Sequence, residues 1–451
     1  MGKIPLTSAQ RGIWYAQKLQ ENNNVFNTAE YVEINGEINV NLLKDSIKQT
    51  ILECEALNAN LYERDDELYQ IINEKKEIII DYHDLSSNND AHNLAINWMK
   101  EEMELEINLS NDQLYREMIF RIDDNKYYWY QKIHHAIIDG YGVSLILKKV
   151  SDIYTSKLTN VCIDNVSFGS ISSIIEEENN YYNSDKYLQD GKYWISKMKY
   201  HPEIVSFNNH QQMNRDTCIP KGQFIREARY LSACTIKKLE DLAHSLKINW
   251  SEILLSAIAI YLSSTTGQNK IILGLPMMCR LRSVSLTIPS NVMNVLPLNV
   301  NVESNNSINN LIMQVSKEIL ETKKHEKYRS ELIRRELGYV GTNYKLFGPV
   351  VNFKTFDYNL NFGGVKGVVH NLSAGPVEDI SINIYIDVET STIKVEMDAN
   401  PRQYSESEIS LHSDRLINLI DTLLDTEIDS DVGSIDILLE KERLDILNKF
   451  N

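Results

Sequence analysis

Two runs of alternating residues, Leu114 to Ile122 and Lys126 to Ile133, flank the turn Asp123-Asp124-Asn125 and lead into a dense cluster of reactive side chains. In the first run Leu114, Arg116, Met118, Phe120 and Ile122 share one side, and in the second aromatic and polar residues take turns. A period of two is the period of a strand, so the pair reads as a hairpin. Further on, Val143, Ile146, Leu147, Val150 and Tyr154 recur at helical spacing. Strand, turn and helix thus frame His134-His135-Ala136-Ile137-Ile138-Asp139-Gly140, with Gly140 and Gly142 able to make the turn tight.

Neighbouring residues on an extended segment point to opposite faces. His134 and His135 therefore do not serve one cavity together, and a metal held by this pair is not expected. One ring faces a site and the other the core. Asp139 can orient a ring by accepting an N–H, anchor the loop through a basic residue, or cap the helix starting near Tyr141. Other chemistries lack their residues: there is no Gly-x-Ser-x-Gly elbow, no Gly-Lys-Ser/Thr phosphate loop and no Gly-x-Gly-x-x-Gly after a strand. The remaining histidines, His83, His92, His201, His210, His244, His325, His370 and His412, show no ligand spacing and read as surface or satisfied core residues. The run His325 to Glu336 reads as a solvated helix face, and Trp14, Trp98, Trp129, Trp194 and Trp250 as core anchors.

At 451 residues the chain exceeds the usual size of one core, so two lobes are expected. The formal charge of −17, from 46 basic and 63 acidic residues, argues against nucleic acid as a partner. The cysteines, Cys54, Cys162, Cys218, Cys234 and Cys279, are odd in number and scattered, which disfavours a disulfide framework or a zinc site and fits a reducing cytoplasm. Met1 to Leu19 lacks the apolar core of a signal peptide, and the apolar run Ile253 to Leu262 is far short of the ~20 residues of a membrane span. Helices are expected at 41–57, 235–247, 253–263, 308–322 and 407–424, and further strands at 270–275, 295–302, 349–353 and 380–387. The polar stretch Ser167 to Asp190 is the best boundary, giving an N-terminal lobe over 1–175 and a C-terminal lobe over 176–451, each α+β with mixed sheets.

Several segments together resemble the condensation domain of nonribosomal peptide synthetases, from end to end. Thr7-Ser8-Ala9-Gln10-Arg11-Gly12-Ile13-Trp14 resembles its opening motif, Glu53 to Asn58 its second, and His134 to Gly140 its His-His-x-x-x-Asp-Gly signature. Tyr193-Trp194, Gly274-Leu275-Pro276 with Arg280, Asn291 to Leu298, Asn400-Pro401 with Tyr404, and Ile435 to Arg443 continue the likeness. Tyr328 to Gly364 resembles the siderophore or starter subtype, which joins an aryl or acyl starter to a first amino acid. One position departs from the pattern. Where the second motif usually has an Arg to pair with the signature Asp, this chain has Asn58, so Asp139 must pair elsewhere, with Arg280 the first choice.

The resemblance implies two chloramphenicol-acetyltransferase-like lobes in a V-shaped pseudo-dimer. The signature lies on the first lobe, an active-site tunnel lies at the seam, and segments of the second lobe cross to the first. It implies an acyltransferase that forms an amide bond between a peptidyl, acyl or aryl donor and an aminoacyl acceptor. Both are thioesters on the 4'-phosphopantetheine arms of carrier proteins, so no cofactor or metal is bound by the chain itself. An adenylation domain can follow in a full synthetase, and no membrane partner is implied. His135 is expected to act as hydrogen-bond acceptor or base, His134 as a core support, Asp139 as the loop anchor and Gly140 as a backbone N–H donor to the oxyanion. Arg280, Asn294 and Asn352 are expected to line the tunnel or seam. The rival readings are a free-standing acyl-CoA-type or ester-forming acyltransferase, an epimerisation domain, and a non-catalytic scaffold that docks carriers. A cyclisation domain is disfavoured because it replaces the paired histidines by aspartate.

Overall fold

The structure, a computed structural model, describes residues 2–19, 23–73, 77–161, 167–199, 203–207, 224–354, 359–387 and 392–450. The chain forms two compact units. The first holds Met1–Ser184 with the later segments Met278–Met293 and Phe356–Pro376, and the second holds Asp185–Met277, Asn294–Thr355 and Val377–Asn451. The change of unit after Ser184 falls between the helices Ile171–Tyr182 and Asp185–Met198, inside the polar stretch read as a boundary.

In the first unit a six-stranded sheet runs in the order Leu360–Phe362, Val365–Asn371, Asn27–Asn35, Lys126–His134, Tyr115–Asp123, Ile80–Asp84. All neighbours are antiparallel except Ile80–Asp84 and Tyr115–Asp123, which run parallel. The strand Lys126–His134 is central and buried on both faces. On one face Val32, Ile119, Trp129 and Ile133 join a cluster with Ile47 and Ile51 of the helix Val40–Glu53 and with Val143, Ile146 and Leu147 of the helix Gly140–Thr159. On the other, Met118, Phe120, Tyr128 and Tyr130 pack on Ala95 and Met99 of the helix Ala91–Glu104. Each fully buried large apolar side chain contributes about 1.5–3 kcal/mol, so these two layers hold the hairpin that carries the signature.

The second unit has its own six-stranded sheet, in the order Asn294–Asn301, Lys270–Met277, Val350–Lys354, Ile380–Asp387, Thr392–Ala399, Ile225–Tyr230. Val350–Lys354 runs parallel to both neighbours. The helix Trp250–Thr266 is buried without a break from Ile253 to Leu262, so the longest apolar run of the chain is a core helix. Helices start up to three residues before their apolar periodicity, where polar caps hold the first turn. Ser232, Asn249, Ser307 and Ser405 accept the N–H of Thr235, Ser251, Asn310 and Glu408.

Trp129, Trp194 and Trp14 are buried, but Trp98 is 37% exposed, lying over His83 and Phe120 on the outer flank of its helix rather than anchoring a core. His325 is no solvated residue either: its ring stacks on Tyr193 at 3.8 Å and its Nδ1 meets Asp190 at 2.5 Å. Cys54, Cys234 and Cys279 form no disulfide among the described residues, whereas Cys162, Cys218, His201 and His210 lie outside them. Among the described residues no helix is long and apolar enough to cross a membrane, and no group of three metal-ligating side chains gathers.

Candidate active site

The strand Lys126–His134 ends at the first signature histidine, but its pairing continues one residue further, with the His135 N–H donating to the Phe26 carbonyl at 2.7 Å. The chain then turns, held by the Ile137 N–H on the His134 carbonyl at 3.1 Å, and enters the helix Gly140–Thr159. Strand alternation gives the two imidazoles opposite surroundings.

His134 is fully buried. Its Nδ1 accepts the Ala136 N–H at 3.1 Å, and its Nε2 has no partner among the described residues. Burial, reinforced by His135 and Lys132, pushes its pKa down to about 3. It is a neutral support and not a proton carrier near pH 7. His135 is half-buried. Its Nδ1 lies 2.7 Å from the Ile138 carbonyl, and a carbonyl can only accept. The proton is therefore on Nδ1, and the Nε2 lone pair is left as an acceptor, with no hydrogen bond to it among the described residues. The backbone of the signature loop thus fixes the tautomer, a task carboxylates perform elsewhere.

Asp139 does not touch either imidazole. It caps the helix by accepting the Gly142 N–H at 2.8 Å, and its second oxygen accepts the Val292 N–H at 3.1 Å. Arg280 Nη2 donates to both carboxylate oxygens, at 2.8 and 3.0 Å. Two of the roles open for Asp139, anchor and cap, are therefore filled at once. Arg280 is fully buried: Nη1 donates to the carbonyls of Ser285 and Ile288 (3.0 Å), Nη2 also donates to the Ser290 carbonyl (2.7 Å), and Nε has no partner among the described residues. A guanidinium so enclosed offers no face to a substrate, so Arg280, expected to line a passage, serves as a clamp. Asn58, at the position of the usual Arg, donates to the carbonyls of Ile51 and Cys54 and closes the helix Val40–Glu53.

The segment Met278–Met293 wraps the loop beyond this pair. Asn291 Nδ2 donates to the His135 carbonyl at 2.7 Å, and the Asp139 N–H donates to the Ser290 carbonyl at 3.2 Å. Gly142 makes the approach possible: a Cβ there would stand 2.6 Å from Ile138 Cγ1 and 3.1 Å from the Ser290 backbone. Glu177 of the helix Ile171–Tyr182 holds the far end of the segment through the Ser283 hydroxyl (2.8 Å) and the Val284 N–H (3.0 Å). On the same helix Glu178 accepts the Ser8 N–H and hydroxyl, both at 3.0 Å, which places the opening motif.

Gly140 is exposed, and its N–H opens the helix with no partner among the described residues. Asn294 is buried in the second unit, donating to the carbonyls of Glu326 and Tyr328 and accepting the Ser330 N–H. Asn352 is half-buried in the sheet of that unit, opposite Asn383. Sequence reasoning missed Asn291, Ser290 and the Ile138 carbonyl. The last two act through backbone atoms, which leave no mark on residue identity.

The family description "Condensation domain" matches residues 1–447. The chain belongs to the condensation domain family. It is 39% identical over 446 residues to the dimodular nonribosomal peptide synthase of Bacillus subtilis (strain 168), covering 99% of this chain and 18% of the relative. It is 28% identical over 428 residues to the enterobactin synthase component F of Shigella flexneri, covering 92% of this chain and 33% of the relative. The chain thus spans about a fifth to a third of the length of these curated relatives. Among solved structures it matches a mutant of the starter condensation domain of rhizomide synthetase RzmA in complex with C8-CoA and Leu-SNAC, with a TM-score of 0.88, 28% identity, and coverage of 97% of this chain and 98% of that one. The fold is accordingly that of condensation domains, acyltransferases that form amide bonds between substrates carried on phosphopantetheine arms.

Proposed function

We propose that this domain joins an acyl or aryl starter to a first aminoacyl group, both held as thioesters on carrier proteins, through an amide bond. The observation that carries the reading is the His135–Ile138 hydrogen bond at 2.7 Å, which leaves Nε2 as a fixed acceptor on a half-buried ring. The α-amine of the acceptor attacks the donor carbonyl, and a C–N bond forms. The resulting ammonium gives its proton to His135 Nε2, the C–S bond breaks, and the imidazolium returns the proton to the departing thiolate. The Gly140 N–H stabilises the oxyanion. An amine of ordinary pKa near 8 is partly neutral at pH 7, so alignment of two tethered groups outweighs base strength. Asp139, Arg280 and Asn291 hold the loop in place. His134 supports it from the core.

The starter assignment is supported by the match to the starter domain of rhizomide synthetase and by the stretch Tyr328 to Gly364. Because that domain was solved with C8-CoA, a coenzyme A thioester is the second donor to test. The test incubates wild type and His135→Ala with a loaded acceptor carrier and donors on a carrier or on coenzyme A, and weighs the products by mass spectrometry. His135→Ala should lower condensation by about 10²–10⁴-fold while the protein stays folded. An unchanged rate removes His135 from the chemistry, and product formed from coenzyme A alone removes the need for a donor carrier.

A further inference from the structure

The last turn of the helix Ala91–Glu104 ends against the face of the first unit's sheet that carries His134. The final carbonyls of a helix have no partners within it, and here those of residues 102 to 105 are each met by a side chain. Lys132 Nζ donates to the Glu102 carbonyl at 2.7 Å, Asn27 Nδ2 to those of Met103 and Leu105 at 2.9 Å each, and Asn24 Nδ2 to that of Glu104 at 3.2 Å. A carbonyl can only accept, so both amides turn their nitrogen to the helix and their oxygen away from it. Asn27 and Asn24 are buried, and neither Oδ1 has a partner among the described residues.

Asn27 stands directly opposite His134 on the neighbouring strand. The His135 N–H on the Phe26 carbonyl makes the adjacent pair the bonded one, so Asn27 and His134 form the narrow kind of pair, whose side chains come closest. The Phe26 ring lies beside the imidazole, with centroids 6.3 Å apart. His134 Nδ1 accepts the Ala136 N–H, so the proton of the neutral ring is on Nε2, a fully buried donor that is likewise unmet among the described residues. One helix turn and one strand pair thus hold three unmet groups behind the signature, one donor and two acceptors. Buried polar groups almost always find partners, and a group that accepts one hydrogen bond and donates two would complete all three. A water molecule has that valence, and three polar partners are what a buried water usually has.

We propose that one water is trapped between His134, Asn27 and Asn24, and that Asn27 is thereby a positioning residue for His135. Three consecutive residues then hold three others. Phe26 takes the His135 N–H, Asn27 takes His134 through the water, and Thr28 Oγ1 donates to the Ile133 carbonyl at 2.8 Å. The Asn27 amide is itself fastened to the helix end, so the strand that carries the reactive ring is tied to a rigid element on the side away from the Asp139 clamp. The water site stands on geometry alone, and its effect on rate rests on the condensation reading.

The test uses the full chain, deuterated and labelled with 15N-histidine, in nuclear magnetic resonance. His134 should show a protonated Nε2 and a bare Nδ1, the reverse of His135, and its Nε2–H should give a cross-peak to a long-lived water. Asn27→Leu should abolish that cross-peak. With loaded donor and acceptor carriers it should lower kcat about five- to hundredfold while KM for either carrier changes by less than about twofold. Asn24→Leu spares the Asn27 amide and serves where Asn27→Leu does not fold; it should show the same loss of cross-peak and a fall in kcat. A bare Nε2 on His134, no water cross-peak in the wild type, or a kcat untouched by both variants overturns the proposal. A fall in rate that matches the loss of folded protein, with the cross-peak intact, also overturns it and leaves Asn27 to the helix end alone. A wild type that gives the cross-peak but condenses nothing keeps the water site and discards the condensation reading.

Discussion

Replacing Arg280 by Met removes a guanidinium that donates to both Asp139 oxygens and to the carbonyls of Ser285, Ile288 and Ser290, from a position with no solvent access. Summing charge-assisted bonds at about 1.5–3 kcal/mol each overshoots, because the wild type also bears the cost of stripping water from both charges. Breaking one side of a buried pair costs about 3–5 kcal/mol, since the other charge stays buried. Asp139 keeps the N–H groups of Gly142 and Val292, which holds the figure towards the lower end. At about 2–4 °C per kcal/mol for a unit of ~150–250 residues, the first unit should melt roughly 6–15 °C lower. With two units, a single transition is not assured, so fluorescence and calorimetry should be followed together. Adding Asp139→Asn to Arg280→Met should recover part of the loss by removing the stranded charge. A loss below about 1 kcal/mol, or a double variant no better than the single one, would refute the buried-clamp reasoning.

Glu117→Gln keeps an acceptor for Trp129 but cannot ionise. The wild-type carboxyl, raised from 4.5 to about 8 on folding, holds its proton in the folded state, so wild-type stability falls as pH rises from about 4.5 to 8. The variant's advantage should grow across that window to about 3–5 kcal/mol, read from urea titrations at several pH values. His134 has the opposite sign. Its folded pKa of about 3 lies below 6.5, so stability is lost as pH falls through that interval, and His134→Asn should flatten the acid limb of the same titrations. Gly142→Ala puts a methyl against Ile138 and the Ser290 backbone and should destabilise by about 1–3 kcal/mol while slowing condensation, whereas an unaffected melting temperature would show that the loop yields.

The hairpin and helix around the signature were legible because period two, a turn and period 3.6 succeed one another without ambiguity, and the histidine faces followed from strand geometry alone. Alternation could not show that Lys126–His134 is covered on both sides, because Tyr128 and Tyr130 on one face and Trp129 and Ile133 on the other are all apolar enough to bury. Nor could it separate Gln131 and Glu117 from ordinary outward-facing polar residues. Arg280 was reachable as a partner only because Asn58 left Asp139 without one. Its full enclosure depends on carbonyls 5 to 10 residues downstream, which no pattern of side chains records. Cys279 and Arg282 on either side of it adopt φ of 54° and 59°, a turn that glycine would have announced and these residues conceal.

Asp139 fastens a segment whose two ends run into paired strands of the other unit, Lys270–Met277 and Asn294–Asn301. The position of the signature loop is therefore set as much by residues 141 to 156 positions further along the chain, which hold the Asp139 carboxylate and the His135 carbonyl, as by the loop's own turn.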